Sequence, residues 1–177
     1  MHSVPRLLRI LVRLDFIAAV VLTVLLPLVL LVRAVRSRRE QVADLLGYWR
    51  ASSLLMVSVY LLIGKRRTAF VSGIAARLLI PWSLRHASYT NDPRFTRWKR
   101  WITAYCLGGA LLNLPLLACL RQQSPTALCR AYIEPTQEFG AVLHPGVSRE
   151  TLGRVGDIGL LAFVVGAVLL WLSGRKK

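Results

Sequence analysis

Residues 16–32 read FIAAVVLTVLLPLVLLV, seventeen consecutive positions without a charge, and taken out to Leu14 and Arg33 the stretch covers 14–33. The hydrocarbon core of a bilayer is about 30 Å thick and needs roughly 20 helical residues at about 1.5 Å each. A run this long and this apolar predicts a helix that crosses a membrane, with Pro27 bending it. Further along, 45–64 makes a second span interrupted only by Arg50, and 101–120 a third with Asn113 and Pro115 inside it. The last, 157–172, stops at Ser173, Gly174 and the Arg175-Lys176-Lys177 tail.

The rest of the composition agrees with that reading. In 177 residues there are 24 Lys+Arg against 8 Asp+Glu, a net charge of +16, yet 55 % of the residues are apolar. Basic clusters alternate with apolar runs, which excludes a disordered basic tail, a secreted disulfide scaffold and an ordinary soluble enzyme. The basic surplus does not imply nucleic acid. Beside spans it fits the lipid bilayer, with anionic lipid headgroups as partners. The expected fold is an all-α, polytopic transmembrane helical bundle forming one integral membrane domain over 1–177.

Between the second and third spans lies 68–84, seventeen apolar residues with Arg77 near the middle and Pro81 near the end. An arginine at mid-membrane costs about 2.5–3.5 kcal/mol on insertion scales. The segment is either a fifth span with Arg77 buried against a partner, or a short interfacial or re-entrant helix whose arginine snorkels to the headgroups. The interfacial or re-entrant form is the favoured expectation. With four spans, 15 basic residues face 9 across the membrane; with five, 13 face 10, and Arg77 stays inside it. Both schemes put the C-terminus in the cytoplasm and the 121–156 loop outside, and they differ only in the side of the N-terminus. The first span is expected to be a retained signal anchor, because an Arg-rich stretch follows it where a cleavage site would stand.

In the outer loop, Pro125, Pro135, Pro145, Gly140 and Gly146 are expected to break the chain into short pieces, while Ser148-Arg149-Glu150-Thr151 is a weak capping-box start for a helix leading into the last span. Cys119 and Cys129 bracket a short polar turn, and on an oxidising face they make a disulfide plausible, with two unpaired small residues as the alternative. Cys106 is read as a packing residue.

Five polar residues fall inside or beside the spans: Asp15, Arg50, Arg77, Asn113 and Asp157. Asp15 matches the depth of the end of the second span, so Lys65 and Arg66 are its expected ion-pair partners, with an exposed carboxylate in the headgroups as the alternative. Arg50 is expected to snorkel. Asn113 shares a helix face with Gly109, and Ala104/Gly108 and Ala162/Gly166 are small-residue pairs of the kind that admit close helix approach. Arg77 is the charge to watch, although structural pairing outweighs substrate contact. Tyr48, Trp49, Trp98, Trp101 and other aromatics near span ends read as an interfacial belt. His2, His86 and His144 are scattered, and no metal-ligand spacing, phosphate loop or nucleophile elbow is present. No catalytic residues are assigned, an enzyme is not expected, and the cofactor question stays open.

Certain short motifs occur in order: Leu-Pro-Leu at 26–28, Tyr48-Trp49-Arg50-Ala51-Ser52-Ser53-Leu54, and Val59-Tyr60-Leu61-Leu62-Ile63-Gly64. Ser72-Gly73-Ile74-Ala75-Ala76-Arg77-Leu78-Leu79-Ile80-Pro81 follows, then Leu114-Pro115-Leu116 and Cys129-Arg130-Ala131-Tyr132-Ile133-Glu134-Pro135. Over nearly the whole chain these resemble a family of small cyanobacterial integral membrane proteins known only as a domain of unknown function. The resemblance implies a thylakoid or plasma membrane setting, and it brings no activity or catalytic residues with it. Two functions fit. One is a non-enzymatic accessory or assembly factor of a larger membrane complex, with Arg77, Arg130 and Glu134 as candidate partner contacts. The other is a small oligomeric transporter or channel subunit whose polar path runs around Arg77.

Overall fold

The computed structural model describes residues 6–37, 40–85, 87, 92–121 and 126–174. A single long helix opens the chain, with α1 (Arg6–Val20) and α2 (Leu26–Ser37) joined through a π-helical turn at Val21–Leu25. There follow α3 (Glu40–Ile63), α4 (Thr68–Leu84), α5 (Pro93–Asn113) with a 3-10 extension at Leu114–Leu120, α6 (Ala127–Leu143) and α7 (Arg149–Gly174). No strand occurs among the described residues. Four helical stretches are long and apolar enough to cross a membrane: Arg6–Arg36, Gln41–Ile63, Pro93–Leu120 and Arg149–Ser173. The protein is an all-α bundle of membrane type.

Local chemistry sets several helix starts. Asp92 caps α5 by accepting the Arg94 N–H at 2.9 Å, with Pro93 in the first turn, where a missing N–H is harmless. Thr126 caps α6, and Ser148 accepts the Thr151 N–H at 3.0 Å at the head of α7. After α3 the chain reverses through a Schellman turn, Arg66 N–H to Leu61 O and Lys65 N–H to Leu62 O. Its left-handed position, usually glycine, is Lys65 at φ 56°. The adjacent Gly64 serves a different purpose, because α7 crosses there and a Cβ would overlap the Gly153 backbone.

Pro27 bends the first helix at a cost that the rest of the bundle offsets. Lacking an N–H, it cannot bond Thr23 O in α-helical register or Leu22 O in the π register set by the Leu26 N–H to Val21 O bond. Both carbonyls find side chains instead. Tyr48 Oη donates to Thr23 O at 2.7 Å, and Trp98 Nε1 donates to Leu22 O at 2.9 Å. Tyr48 and Trp98 also meet edge to face at 4.9 Å, within a core cluster that includes Leu45, Ile80, Leu84, Phe95 and Ile102. These two aromatics are therefore buried core residues and not part of an interfacial belt. Trp82, Trp101 and Trp171 are exposed, as belt residues should be.

The segment 68–84 is a helix packed inside the bundle. α4 does not lie across the bundle; it runs antiparallel along α3. Ser72 bonds Ser58 at 2.8 Å near its start, and Ile80 and Leu84 share a core cluster with Leu45 and Tyr48 at the far end of α3. Its seventeen residues extend about 25 Å, and Arg77 is buried among neighbouring helices, where an interfacial helix would leave it in the headgroups. Arg66 in the α3–α4 turn binds Glu150 and Asp157 of α7, and Arg9 and Arg13 of α1 bind Glu134 and Glu138 of α6. The N-terminal half of α1, the 64–67 turn and the 121–156 region thus gather at one end of the bundle. That is the arrangement of the five-helix scheme.

The 121–156 loop is also not a string of short pieces. Seventeen of its residues form α6, with Pro135 buried inside. Turn-forming residues are overruled here because the helix is anchored at many points. Cys129 is disulfide-bonded to Cys119, Ala131 packs on Val12, and Gly140 fits so closely against Ile63 that a Cβ would crowd it. Tyr48→Phe, which strands Thr23 O in an apolar core, is expected to destabilise the protein by about 1–3 kcal/mol. Pro27→Ala should remove most of that loss in the double variant, read by a thermal or denaturant unfolding cycle in detergent.

Candidate functional site

Arg77 stands near the middle of α4, and three other helices build its surroundings. From α1, Asp15 Oδ2 accepts Arg77 Nη2 at 2.7 Å. From α5, Tyr105 Oη lies 2.9 Å from Asp15 Oδ1 and 3.0 Å from the Asp15 carbonyl, and Arg77 Cζ sits 4.9 Å from the Tyr105 ring centre. Gly109, one turn beyond Tyr105, leaves the space that the guanidinium occupies, since a Cβ there would overlap it. One further turn on, Asn113 Oδ1 accepts Tyr132 Oη of α6 at 2.8 Å. Burial, and after it the Asp15 carboxylate, push the Tyr132 hydroxyl above its ordinary pKa, so it remains a neutral donor.

The Arg77 side chain is 5 % exposed and that of Asp15 25 %. A pair withdrawn from water to this degree is held by mutual attraction together with the tyrosine bond, because neither charge alone is tolerable there. Arg77 Nη1 is buried without a hydrogen-bond partner. Beside the pair lies a cavity of about 60 Å³, lined by Asp15, Ser58, Gly73, Arg77, Asn113 and Tyr132 among others. Most of its wall is apolar, from Phe16, Leu55, Leu62 and Phe70, and the volume has room for no more than about one or two waters beside the polar groups. Chemically, both carboxylate oxygens are already accepting bonds, so the site is built to hold charge in place. Among the described residues no group of three His, Cys, Asp or Glu is arranged for a metal ion.

The structure redistributes the residues singled out in the sequence. Asp15 pairs with Arg77 and not with Lys65 or Arg66, since the side chain points into the bundle where α4 and α5 meet α1. Arg66 is engaged by Asp157 at 3.0 Å and Glu150 at 3.1 Å, and these carboxylates, Asp157 first, raise its pKa. Arg50 is exposed and lies apart from the pair. Arg77 is too deeply buried to be a partner contact. Glu134 is half-exposed and pairs with Arg9 at 3.5 Å, while Arg130 stands on the same helix, partly buried. Cys119 and Cys129 form a disulfide, and Cys106 is a buried free thiol. His144 meets Tyr60 at 3.0 Å, and His2 and His86 lie outside the described residues. Two participants went unnoticed, Tyr105 and the role of Gly109. Extending the Gly109/Asn113 face back by one turn leads to Tyr105, so the signal was a spacing of four.

A second concavity, about 430 Å³ and almost entirely apolar, opens between α1, α3 and α6, with Phe16, Val20, Trp49, Met56, Phe139 and Leu143 on its walls. It faces outward from the bundle and holds no titratable group.

The model of one protein family, described as "Protein of unknown function (DUF3177)", matches residues 9–175. The chain belongs to that family. The match takes in every element of the site, from Arg9 beside α6 to the tail of α7, so the buried pair lies inside the region that defines the family. Neither a curated protein nor a solved structure matches the chain.

Arg77→Ala leaves Asp15 without its counter-charge and is expected to cost about 3–5 kcal/mol. The Asp15→Asn/Arg77→Met double variant, in which neither partner is charged, should recover most of it. Unfolding of the purified protein in detergent, run as a double-mutant cycle, measures the difference. Cys129→Ser opens a crosslink of sequence separation 10 and should lower stability by about 2–3 kcal/mol, with an equal loss when the wild type is reduced.

Proposed function

We propose that the protein is a non-enzymatic accessory or assembly factor of a larger membrane complex, in a cyanobacterial thylakoid or plasma membrane. The observation that carries this reading is the second half of α7. Gly153, Gly156 and Gly159 press the first half against Gly64, Leu61 and Val57 of α3. Beyond Leu160 the apolar side chains of Leu161, Val164, Val165, Val168, Leu169 and Leu172 are all exposed among the described residues. Helices associate in lipid through van der Waals packing, not through escape from water. A span with so exposed an apolar surface forgoes those contacts unless another protein provides them. Gly166, with nothing within 4 Å of where its Cβ would be, offers a close-approach point on this free half.

Two features support an orientation. The end that holds α6 carries the Cys119–Cys129 disulfide, which suits an oxidising compartment. At the opposite end Arg33, Arg36, Arg94, Arg97 and Arg100 have no carboxylate in ion-pair range among the described residues, which suits the cytoplasmic side. The C-terminus would then be cytoplasmic, and the N-terminus on the far side with α6.

The alternative, an oligomeric transporter or channel subunit, draws on the small cavity beside Arg77. It is the weaker reading, because Arg50 and Asp157 stand apart from that cavity and the carboxylate is closed by its own partners. Native electrophoresis of tagged protein from its own membranes, with mass spectrometry of the shifted bands, separates the two. The accessory role requires co-migration with a larger complex, weakened at least tenfold by Gly166→Leu with unfolding unchanged. Migration only as a monomer or small homo-oligomer, with solute flux that Arg77→Ala abolishes in proteoliposomes, would establish transport in its place.

A further inference from the structure

One stripe of α5 is largely exposed among the described residues. Arg97, Arg100, Trp101, Ala104, Gly108 and Leu111 fall at spacings of three, four, seven, eleven and fourteen from the first, which places them on one helix face. Trp101 is 64 % exposed and Leu111 68 %, and a Cβ on Gly108 would meet nothing within 4 Å. At the head of the stripe is an open groove of about 760 Å³, lined by Pro93, Thr96, Arg97, Arg100, Trp101 and Ala104. Neither Arg97 nor Arg100 has a carboxylate within ion-pair distance among the described residues. The neighbouring cations are already committed: Lys99 donates to Ala87 O at 3.1 Å and Arg85 stacks on Trp82.

In order along the helix, the stripe presents two guanidinium groups, an indole at the level where the apolar run begins, a furrow floored by Ala104 and Gly108, and leucines. An anionic phospholipid has the same order of parts: phosphate, glycerol region, acyl chain. We propose that this groove binds one anionic phospholipid. The phosphate is held between Arg97 and Arg100, Trp101 lies along the glycerol region, and an acyl chain runs down the furrow over Ala104 and Gly108. Guanidinium suits a phosphate through paired N–H donors, and indole suits the interface because one edge is polar and the face is apolar. A second copy of this chain is the competing occupant of the furrow. In one membrane two copies share orientation, so a two-fold contact there would bring four unpaired arginines together. Charge favours the lipid. The inference needs the membrane embedding and not the accessory role.

Native mass spectrometry of the full-length, delipidated protein in mild detergent tests it, with phosphatidylglycerol and phosphatidylcholine added in equal amounts. The wild type should retain phosphatidylglycerol in preference. Arg97→Gln/Arg100→Gln should lower that preference by about 25-fold, at roughly fivefold for each basic residue. Arg97→Lys/Arg100→Lys should restore part of it, and Arg36→Gln, at the same end of the bundle, should leave it unchanged. Gly108→Leu keeps both charges and fills the furrow, so it should weaken two-chain lipid at least tenfold. Unchanged retention in the Gln pair overturns the proposal. So does displacement of the lipid by millimolar inorganic phosphate, which would mark a site for the free anion. Protein dimers lost in Gly108→Leu, with no lipid adduct in the wild type, would assign the furrow to a second copy.

Discussion

A guanidinium inside an apolar bundle must have a counter-charge, and in this protein that requirement joins three helices. Arg77 lies on α4, Asp15 on α1, and Tyr105 on α5 braces the carboxylate from the other side. None of the three tolerates much displacement, because a small shift would leave a charge unpaired where the surroundings solvate it poorly. Gly109 belongs to the same device, since the guanidinium occupies the space its missing side chain leaves. The polar contact then extends along α5 to Asn113 and across to Tyr132, so that α6 is tied to the same centre.

Backbone polarity imposes a second constraint of the same kind. Pro27 deprives two carbonyls of their helical partners, in a medium where water is not available to replace them. Tyr48 from α3 and Trp98 from α5 supply the missing donors, and both rings then become the centre of the core at that end. The two polar contacts lie about two turns apart along the first helix, and each draws α5 against it. Between them, α3 acts as the common wall: α4 runs along it, and α7 meets it where glycines face one another.

Much of the fold could be read from hydropathy. The four long apolar stretches are helices, and the capping signal at Ser148 opens α7 as its chemistry predicts. The site was half legible. Arg77 stands out by its cost, and Asn113 and Gly109 by their shared face, but spacing along the chain points Asp15 toward the wrong partners, Lys65 and Arg66. Depth along a helix was estimated from sequence spacing, and Lys65 and Arg66 were close by that measure. Which way Asp15 points depends on how α1 is rotated, and that rotation is set by packing against α4, α5 and α6. The helix α6 was missed for a related reason. Its sequence is rich in turn residues, and it is held by a disulfide, two surface ion pairs and the fit of Gly140 on Ile63, all of which are long-range.

Sequence alone determined the solvent of this protein. Uncharged runs of bilayer length, bordered by arginines, leave no alternative to helices that satisfy their own backbone in lipid. Tertiary structure decided the rest: that α4 lies along α3 with its arginine buried, that the N-terminal half of α1 shares an end with α6, and that one face of α5 and the second half of α7 are left uncovered. The physical reason is that hydropathy is a property of each segment by itself. Ion pairing, carbonyl repair and close glycine contact are properties of pairs of segments, and they exist only once the helices have met.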